Sequence, residues 1–523
     1  MDTSTPPSAG TAAARPLYRR IGAILSILLL IPVLAWIVGM FFLKPLLGDR
    51  LIRVAEKEAG YRLEIGSMRY NLLTGAGMLS GLKIQADSAT RGAFVVGTIA
   101  QIDIRSIHLL AWWKTNQIRI DEILVIRPDF AYRPARVSTS ESSEGVEWSV
   151  GSVQCREGHF RVLDSTGTAV AAIGRITFQV DSLQHQARAD GLPGRLVSLQ
   201  ADSLWTGDEW SDYRLASLSF ENSRLEMNTA SIQPRNKRFE HVRKSGGNTY
   251  TAASAAHIQA EGVQLSDTAV RLQTLRVDEG DVAVFEVRNR SSKASGPRNP
   301  FPMQQFIKLP LFVSCDTISV AGINVRYDEF NPDTRKTGGV SFRGIRGTIS
   351  GLSNDSAVLK TRPWCLAHFD TRFMGQYPLR VDFRFRQGSA KGYYECRADL
   401  GPVDLPSMNP VFKPLAKVSI ESGRVNHLRF QFSGDERTSS GTASFLYQDL
   451  SVKILKHDEG KGFRIRDLLS FTANRLLVYK HNPMPRKEVR TGAIRYTRIP
   501  GESFWGILWR SIRSGLWSSV KRT

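Results

Sequence analysis

The stretch Ile21–Leu43, IGAILSILLLIPVLAWIVGMFFL, carries no charge over 23 residues. As a helix rising ~1.5 Å per residue it is roughly 35 Å long. A bilayer's hydrocarbon core is about 30 Å thick, so the stretch is long enough to span with some tilt. A cleaved signal peptide has an apolar region of only about 7–15 residues, followed by a small-x-small site. This stretch is longer and shows no clear site of that kind. The expectation is an uncleaved single-pass anchor at 21–43, behind a disordered, cytoplasmic N-terminus at 1–20 whose first 14 residues are rich in Ser, Thr, Ala and Pro. Everything after it is a large body tethered to a membrane.

The charge balance narrows the surroundings. Lys and Arg number 70 and Asp and Glu 49, for a formal net charge of +21 over 523 residues. A surplus of that size calls for an anionic neighbour: nucleic acid, acidic lipid headgroups or an anionic envelope polymer. The anchor favours the last two. The arginines are spread over strand faces and no reading helix or RNP-type aromatic motif is visible, so no nucleic-acid partner is expected. At 42% hydrophobic residues and a mean hydropathy of −0.21, the body has the composition of a domain with a core. Flanking charges do not support an orientation with the N-terminus inside and on their own lean the other way. Arg15, Arg19 and Arg20 precede it, while Lys44, Arg50, Arg53, Lys57 and Arg62 follow it, and long domains translocate largely regardless of such counts.

Leu46, Leu47, Leu51, Ile52, Val54 and Ala55 are spaced for a short amphipathic helix over 44–60, with Gly60 as its stop. From Tyr61 onward the period drops to 2. Leu63 and Ile65 alternate with Arg62 and Glu64, and Ile102 and Ile104 with Asp103 and Arg105. Leu379, Val381, Phe383 and Phe385 alternate with Arg380, Asp382, Arg384 and Arg386. Leu428, Phe430 and Phe432 repeat the theme, as do Leu450, Val452 and Ile454. Successive strand side chains point to opposite faces, so each run makes a sheet with one apolar and one charged side. Turn residues separate the runs, as in Tyr70-Asn-Leu-Leu-Thr-Gly-Ala-Gly-Met78. The fold expected is mainly β, an elongated antiparallel sheet. The polar stretch 288–302, containing SSKASGPRNPFP, divides it into a first half at 61–287 and a second at 303–500.

The tail, 501–523, returns to helical spacing. Trp505, Leu508, Trp509, Ile512 and Leu516 share one face, and Arg510 and Arg513 add charge. Two readings stand: a helix capping the core, or an interfacial helix with tryptophans at headgroup level and arginines on lipid phosphates.

The search for chemistry is mostly negative. There is no G-x-S-x-G, H-E-x-x-H, Walker or dinucleotide-binding motif. The histidines are scattered singly, and Cys155, Cys315, Cys365 and Cys396 lack metal-ligand spacing. Disulfides and unpaired buried thiols both remain open. Asp328 and Glu329 are adjacent carboxylates, but neighbours on a strand face opposite ways and do not share a site; a solvated strand end is the simpler account. No catalytic residue, metal or cofactor is expected.

One span, a short helix and then Tyr61-Arg-Leu-Glu-Ile-Gly-Ser-Met-Arg-Tyr70 resembles the opening of AsmA-like envelope proteins. Leu79-Ser-Gly-Leu-Lys-Ile84 and Ile118-Arg-Ile-Asp-Glu-Ile-Leu-Val-Ile-Arg-Pro128 add to the likeness. The second half is similar to that family's C-terminal region through Ser422-Gly423, Leu428–Gly434, Gly441, Phe445, Tyr447, Asp449, Leu450 and Val452, then Ala473-Asn474 and Asn482-Pro483 before the Trp-rich tail. The resemblance implies an inner-membrane-anchored protein with its bulk in the periplasm. It also implies a curled sheet with an apolar groove and a part in outer-membrane biogenesis, with membrane lipids and envelope proteins as partners. Non-enzymatic lipid binding or transfer is the function expected. The alternative is a scaffold or assembly factor whose β core is packed on itself.

Overall fold

The computed structural model describes residues 61–71, 74–86, 94–108, 118–133, 148–185, 194–266, 268–288, 300–455, 478–499 and 502–521. The expected N-terminus, anchor and amphipathic helix at 1–60 lie outside them, as does the Ala473-Asn474 phrase. No helix among the described residues is long and apolar enough to cross a membrane. The described chain is mainly β, with an antiparallel-rich sheet that does not close on itself, few helices, and a helix at its C-terminal end. It divides into two compact units at Leu204/Trp205.

The first unit runs β1 (Tyr61–Glu64), β2 (Ser67–Asn71), β3 (Ala76–Ala86), β4 (Phe94–Ile107), β5 (Ile118–Arg133), β6 (Trp148–Leu163), β7 (Ala169–His185) and most of β8 (Arg195–Gly207). β1 and β2 both pair with β3. β3, β4 and β5 then pair in order, antiparallel. β5 and β6 are parallel, a departure from the all-antiparallel expectation, and β7 returns antiparallel. The register lines up Leu79, Ile102, Val125, Cys155 and Phe178 across β3–β7. All of these are buried, Ile102 completely at 0% exposure, so the apolar face made by the period-2 pattern is covered in this unit.

In the second unit β9 (Ser211–Glu221) and β10 (Arg224–Pro234) lead to α1 (Arg238–Ser245). β11 (Thr249–Glu261), the short β12 (Gln264–Leu265) and β13 (Ala269–Val287) follow, then α2 (Pro302–Ile307). β14 (Phe312–Asn331), β15 (Lys336–Ser353), α3 (Ser356–Thr361), β16 (Trp364–Phe373), β17 (Tyr377–Arg386), β18 (Tyr394–Leu400) and β19 (Val403–Asp404) come next. A 3-10 turn (Leu405–Met408) and α4 (Asn409–Ala416) precede β20 (Val418–Gly434), β21 (Thr438–Ile454), β22 (Thr491–Thr497) and α5 (Phe504–Val520).

Pairing follows this order, with β11 passing β12 to join β13, and β18 passing β19 to join β20. β13 and β14 are parallel over their whole length. The stretch 288–302, expected to separate two halves, therefore joins two adjacent strands of one unit. Parallel neighbours need a long crossover, so a polar, Gly- and Pro-containing sequence at this point does not require a domain boundary.

α4 reveals the curl of this sheet. Arg288 and Asn331, after β13 and at the end of β14, donate to the carbonyls of Leu415 and Pro414 at 3.0 Å each. From its other end, Asn409 exchanges two 2.8 Å hydrogen bonds with the Ile420 backbone on β20. One short helix thus touches strands that lie far apart in the pairing order, so β14–β20 bend into a trough. α5 lies along it against β21 and β22. Ser503 caps that helix by accepting the Gly506 N–H at 3.1 Å, which is why it begins at Phe504.

Candidate functional site

Register carries one apolar row across nearly the whole second unit. Leu218, Met227, Ile258 and Val277 stand side by side from β9 to β13. Val320, Gly347, Phe369 and Val381 continue it to β17, and Ala398, Phe430 and Ala443 extend it to β21. A second row runs parallel through Leu275, Ile318, Ile349, Ala367, Phe383, Cys396, Phe432 and Gly441. The first row changes character along its length. From Leu218 to Val381 its members are half-buried, whereas Ala398, Phe430 and Ala443 are buried, Phe430 at 8% exposure.

The cause is α5. Phe504 packs against Phe301 and Tyr394 with ring centroids 5.1 and 5.2 Å apart, and Ile507, Leu508 and Val520 are buried beside it. Full burial of such side chains is worth about 1.5–3 kcal/mol each. The helix therefore covers the apolar face from β18 to β22, with Phe504 reaching Phe383 and Phe385 on β17, while the first row stays half-buried from β9 to β17. On the opposite face charges pair: His368 with Asp382 at 2.6 Å, Arg380 with Asp370 at 3.0 Å, and Arg384 with Glu395 at 3.0 Å.

The sequence-chosen lining residues fall into two groups. Leu63, Ile65, Ile102 and Ile104 belong to the core of the first unit, and the rest to the second. Leu428, Phe430, Phe432 and Leu450 are buried there, while Leu379, Val381, Phe383, Phe385 and Val452 are partly buried against the same core. Ile454 pairs with Val418 at the end of β21.

The tail residues divide as well. Leu508 is buried, and Ile512 and Leu516 pack on the core, so this apolar face is turned inward, against the membrane-facing reading. Trp505 remains outside at 58% exposure, and Trp517, which the periodicity had not singled out, at 55%. Trp509 is half-buried.

A polar cluster lies where the trough brings α5 near β13 and β14. Glu286 accepts the Tyr327 hydroxyl at 2.7 Å. Arg288 is paired with Glu329. Arg510 stands 2.6 Å from Glu502, which also accepts the Tyr496 hydroxyl at 3.0 Å. Desolvation raises the Glu286 carboxyl above its usual range despite the bond from Tyr327, and the nearby Glu329 raises it further. Desolvation likewise pushes the Tyr496 hydroxyl up to about 12. Glu329 is thus ion-paired and enclosed, a correction to the solvated strand end expected for it. Asp328 faces the other way, buried and paired with Arg326 at 2.8 Å and Arg238 at 3.5 Å. The cluster was legible in outline: Val325, Tyr327 and Glu329 share one parity, so glutamate follows valine onto the same inner face. What joins it to Arg510 is the curl, which has no local sequence signal.

The four cysteines are buried and unbridged. Desolvation raises all four, Cys155 to about 12 and Cys365 to about 11. Among the described residues no group of His, Cys, Asp and Glu is arranged to hold a metal ion. Motif residues that carry the AsmA-like resemblance have structural partners. Ser422 donates to the Asp449 carbonyl at 2.7 Å, and Gly423 lies where a Cβ would be 3.0 Å from Leu405. Asn482 bonds the Phe445 carbonyl and the backbone of Arg490. No family model matches the chain, and no match to it was found among curated proteins.

Proposed function

We propose that the chain is an AsmA-like, membrane-anchored envelope protein that binds acyl-chain lipid in the trough of its second unit, as part of lipid handling in outer-membrane biogenesis. The observation that carries the reading is the first apolar row, half-buried from Leu218 on β9 to Val381 on β17, where its continuation under α5 is buried. Soluble proteins rarely leave a large contiguous apolar surface without a use for it. A lipid chain of ~16 carbons gains on the order of 12 kcal/mol on burial, at ~0.8 kcal/mol per CH₂, before ordering costs. No special polar site is needed for affinity of that kind. The expected anchor and a periplasmic location would place the trough beside a membrane surface, and the charge of +21 favours an acidic one.

The alternative, a scaffold with a self-packed core, draws on the buried face of the first unit and on the helix seated over β21 and β22. One double substitution separates them. Val381→Asp with Phe383→Arg places charge in the half-open part. A folded variant that loses lipid supports the groove. A folded variant carrying as much lipid as the wild type refutes it, and one that cannot fold favours the packed scaffold, because buried unpaired charge is costly.

A further inference from the structure

A cavity of about 570 Å³ opens where α3, the turn 387–393 between β17 and β18, and the turn after β20 meet. Lys360, Arg386 and Lys391 line it, and the one carboxylate among its described lining residues is Asp435. Three cations facing one carboxylate leave a surplus of two positive charges. Asp435 is in part engaged already, since its Oδ1 accepts the N–H groups of Arg437 and Thr438 at 2.7 and 2.9 Å. No ion pair or hydrogen bond ties the side chain of Lys360, Arg386 or Lys391 to another described residue. Cations close to them in sequence are committed, Arg362 to Asp316 at 3.1 Å and Arg384 to Glu395 at 3.0 Å.

The wall of this cavity is held in place by the fold itself. Gln387 is 3% exposed; its Oε1 accepts the Ser353 N–H and its Nε2 donates to the Gly351 carbonyl, both at 2.8 Å. The Ala390 carbonyl accepts from the Gln304 side chain at 2.9 Å, and the Lys391 carbonyl from the Glu436 N–H at 2.8 Å. A turn fixed in this way costs little to order on binding. Arg386 has the parity of Arg380 and Arg384 on β17, so it lies on the charged face, opposite the apolar rows. The cavity is separate from the trough.

We propose that this cavity binds a small, water-soluble phosphomonoester that carries a ring, a sugar or nucleoside phosphate. A phosphomonoester bears about −1.5 to −2 charges at neutral pH, which matches the surplus. The Arg386 fork suits two phosphate oxygens, and the two lysines act as point charges beside it. The volume falls within the about 300–1,000 Å³ of small-molecule sites, and a bare phosphate would leave most of it to water. Leu359, Pro363 and Tyr393 give the lining an apolar part for the face of a ring. Tyr393 is itself braced by Trp364, edge to face at 6.1 Å. The site stands whether or not the trough carries lipid.

The test is calorimetric titration of the full chain in a non-ionic detergent with glucose-6-phosphate, adenosine monophosphate, glucose and inorganic phosphate, each separately. At least one ester should bind about tenfold tighter than inorganic phosphate, through burial of its ring, and the tighter ester identifies that ring. Arg386→Gln should weaken the ester by about tenfold, the scale of a charge-assisted hydrogen bond. Lys360→Gln combined with Lys391→Gln should weaken it by a similar factor. Arg362→Gln, close in sequence but paired with Asp316, should leave the affinity unchanged. All three lining cations are exposed, so the melting temperatures of these variants should match the wild type. No binding of either ester would overturn the assignment, as would glucose or inorganic phosphate binding as tightly as both esters. Undiminished affinity in either lining variant, or an equal loss in Arg362→Gln, would overturn it too. None of these outcomes bears on the trough.

Discussion

Gly492 on β22 and Gly515 on α5 meet backbone against backbone: a Cβ added to Gly492 would lie 2.0 Å from the Gly515 carbonyl oxygen. This contact lets the helix sit low enough to bury Ile494 and Ala443 completely. It also decides which part of the trough is closed. Gly492→Ala should lift the helix, at the ~1–3 kcal/mol typical of overpacking. Thermal unfolding and binding of an apolar-surface dye report it: a lower midpoint with more dye bound is expected, and no change in either would mean the helix does not depend on this contact.

Asn482 should matter more than its place in a loop suggests. It is 1% exposed and bonds the Phe445 carbonyl at 2.6 Å and both backbone groups of Arg490 at 2.9 Å. Asn482→Ala leaves those groups buried without partners, at a cost of about 1–3 kcal/mol. Denaturant unfolding measures it, and a loss below about 0.5 kcal/mol would show that water replaces the amide.

The His368–Asp382 pair sets a pH dependence on the outer face. The hydrogen bond that the His368 imidazole donates to the Asp382 carboxylate is the main cause that raises the His368 pKa above its ordinary 6.5, with Asp370 adding to it. A group with a raised folded pKa contributes stability that is fully present below its unfolded value and is lost as pH rises through the folded one. Asp382→Asn should therefore lower the melting temperature more at about pH 5.5 than at about pH 9. An equal effect at both would mean that protonation of His368 does not strengthen the pair.

The thiols offer a check on burial. With Cys155, Cys315, Cys365 and Cys396 buried and their pKa values raised, the thiolate fraction is minute at neutral pH. Iodoacetamide should label none of them in the native protein and all of them in denaturant. Fast native labelling at any one would contradict the packing around it.

Much of the second unit was readable residue by residue. The alternation from Leu379 to Arg386 gives β17 and its two faces directly, because strand parity is local. Phe504–Val520 was readable for the same reason at helical period. The side of α5 that turns inward was not, since Leu508 and Trp505 are both apolar and only tertiary packing separates them. The parallel pair β13–β14 was missed because its crossover at 288–302 reads as a linker. The meeting of Arg288, Glu329, Glu502 and Arg510 joins positions far apart in sequence, and only the curl of the sheet brings them together.

The proposed lipid trough is tested most directly by a photo-crosslinking amino acid placed at Val381 and, separately, at Arg380, in the full chain mixed with phospholipid vesicles. The two are adjacent on β17 and face opposite ways. After irradiation, mass spectrometry of the purified protein reads any lipid adduct. The account predicts phospholipid joined to the Val381 position and none at Arg380. No adduct at Val381, or equal adducts at both, would contradict it.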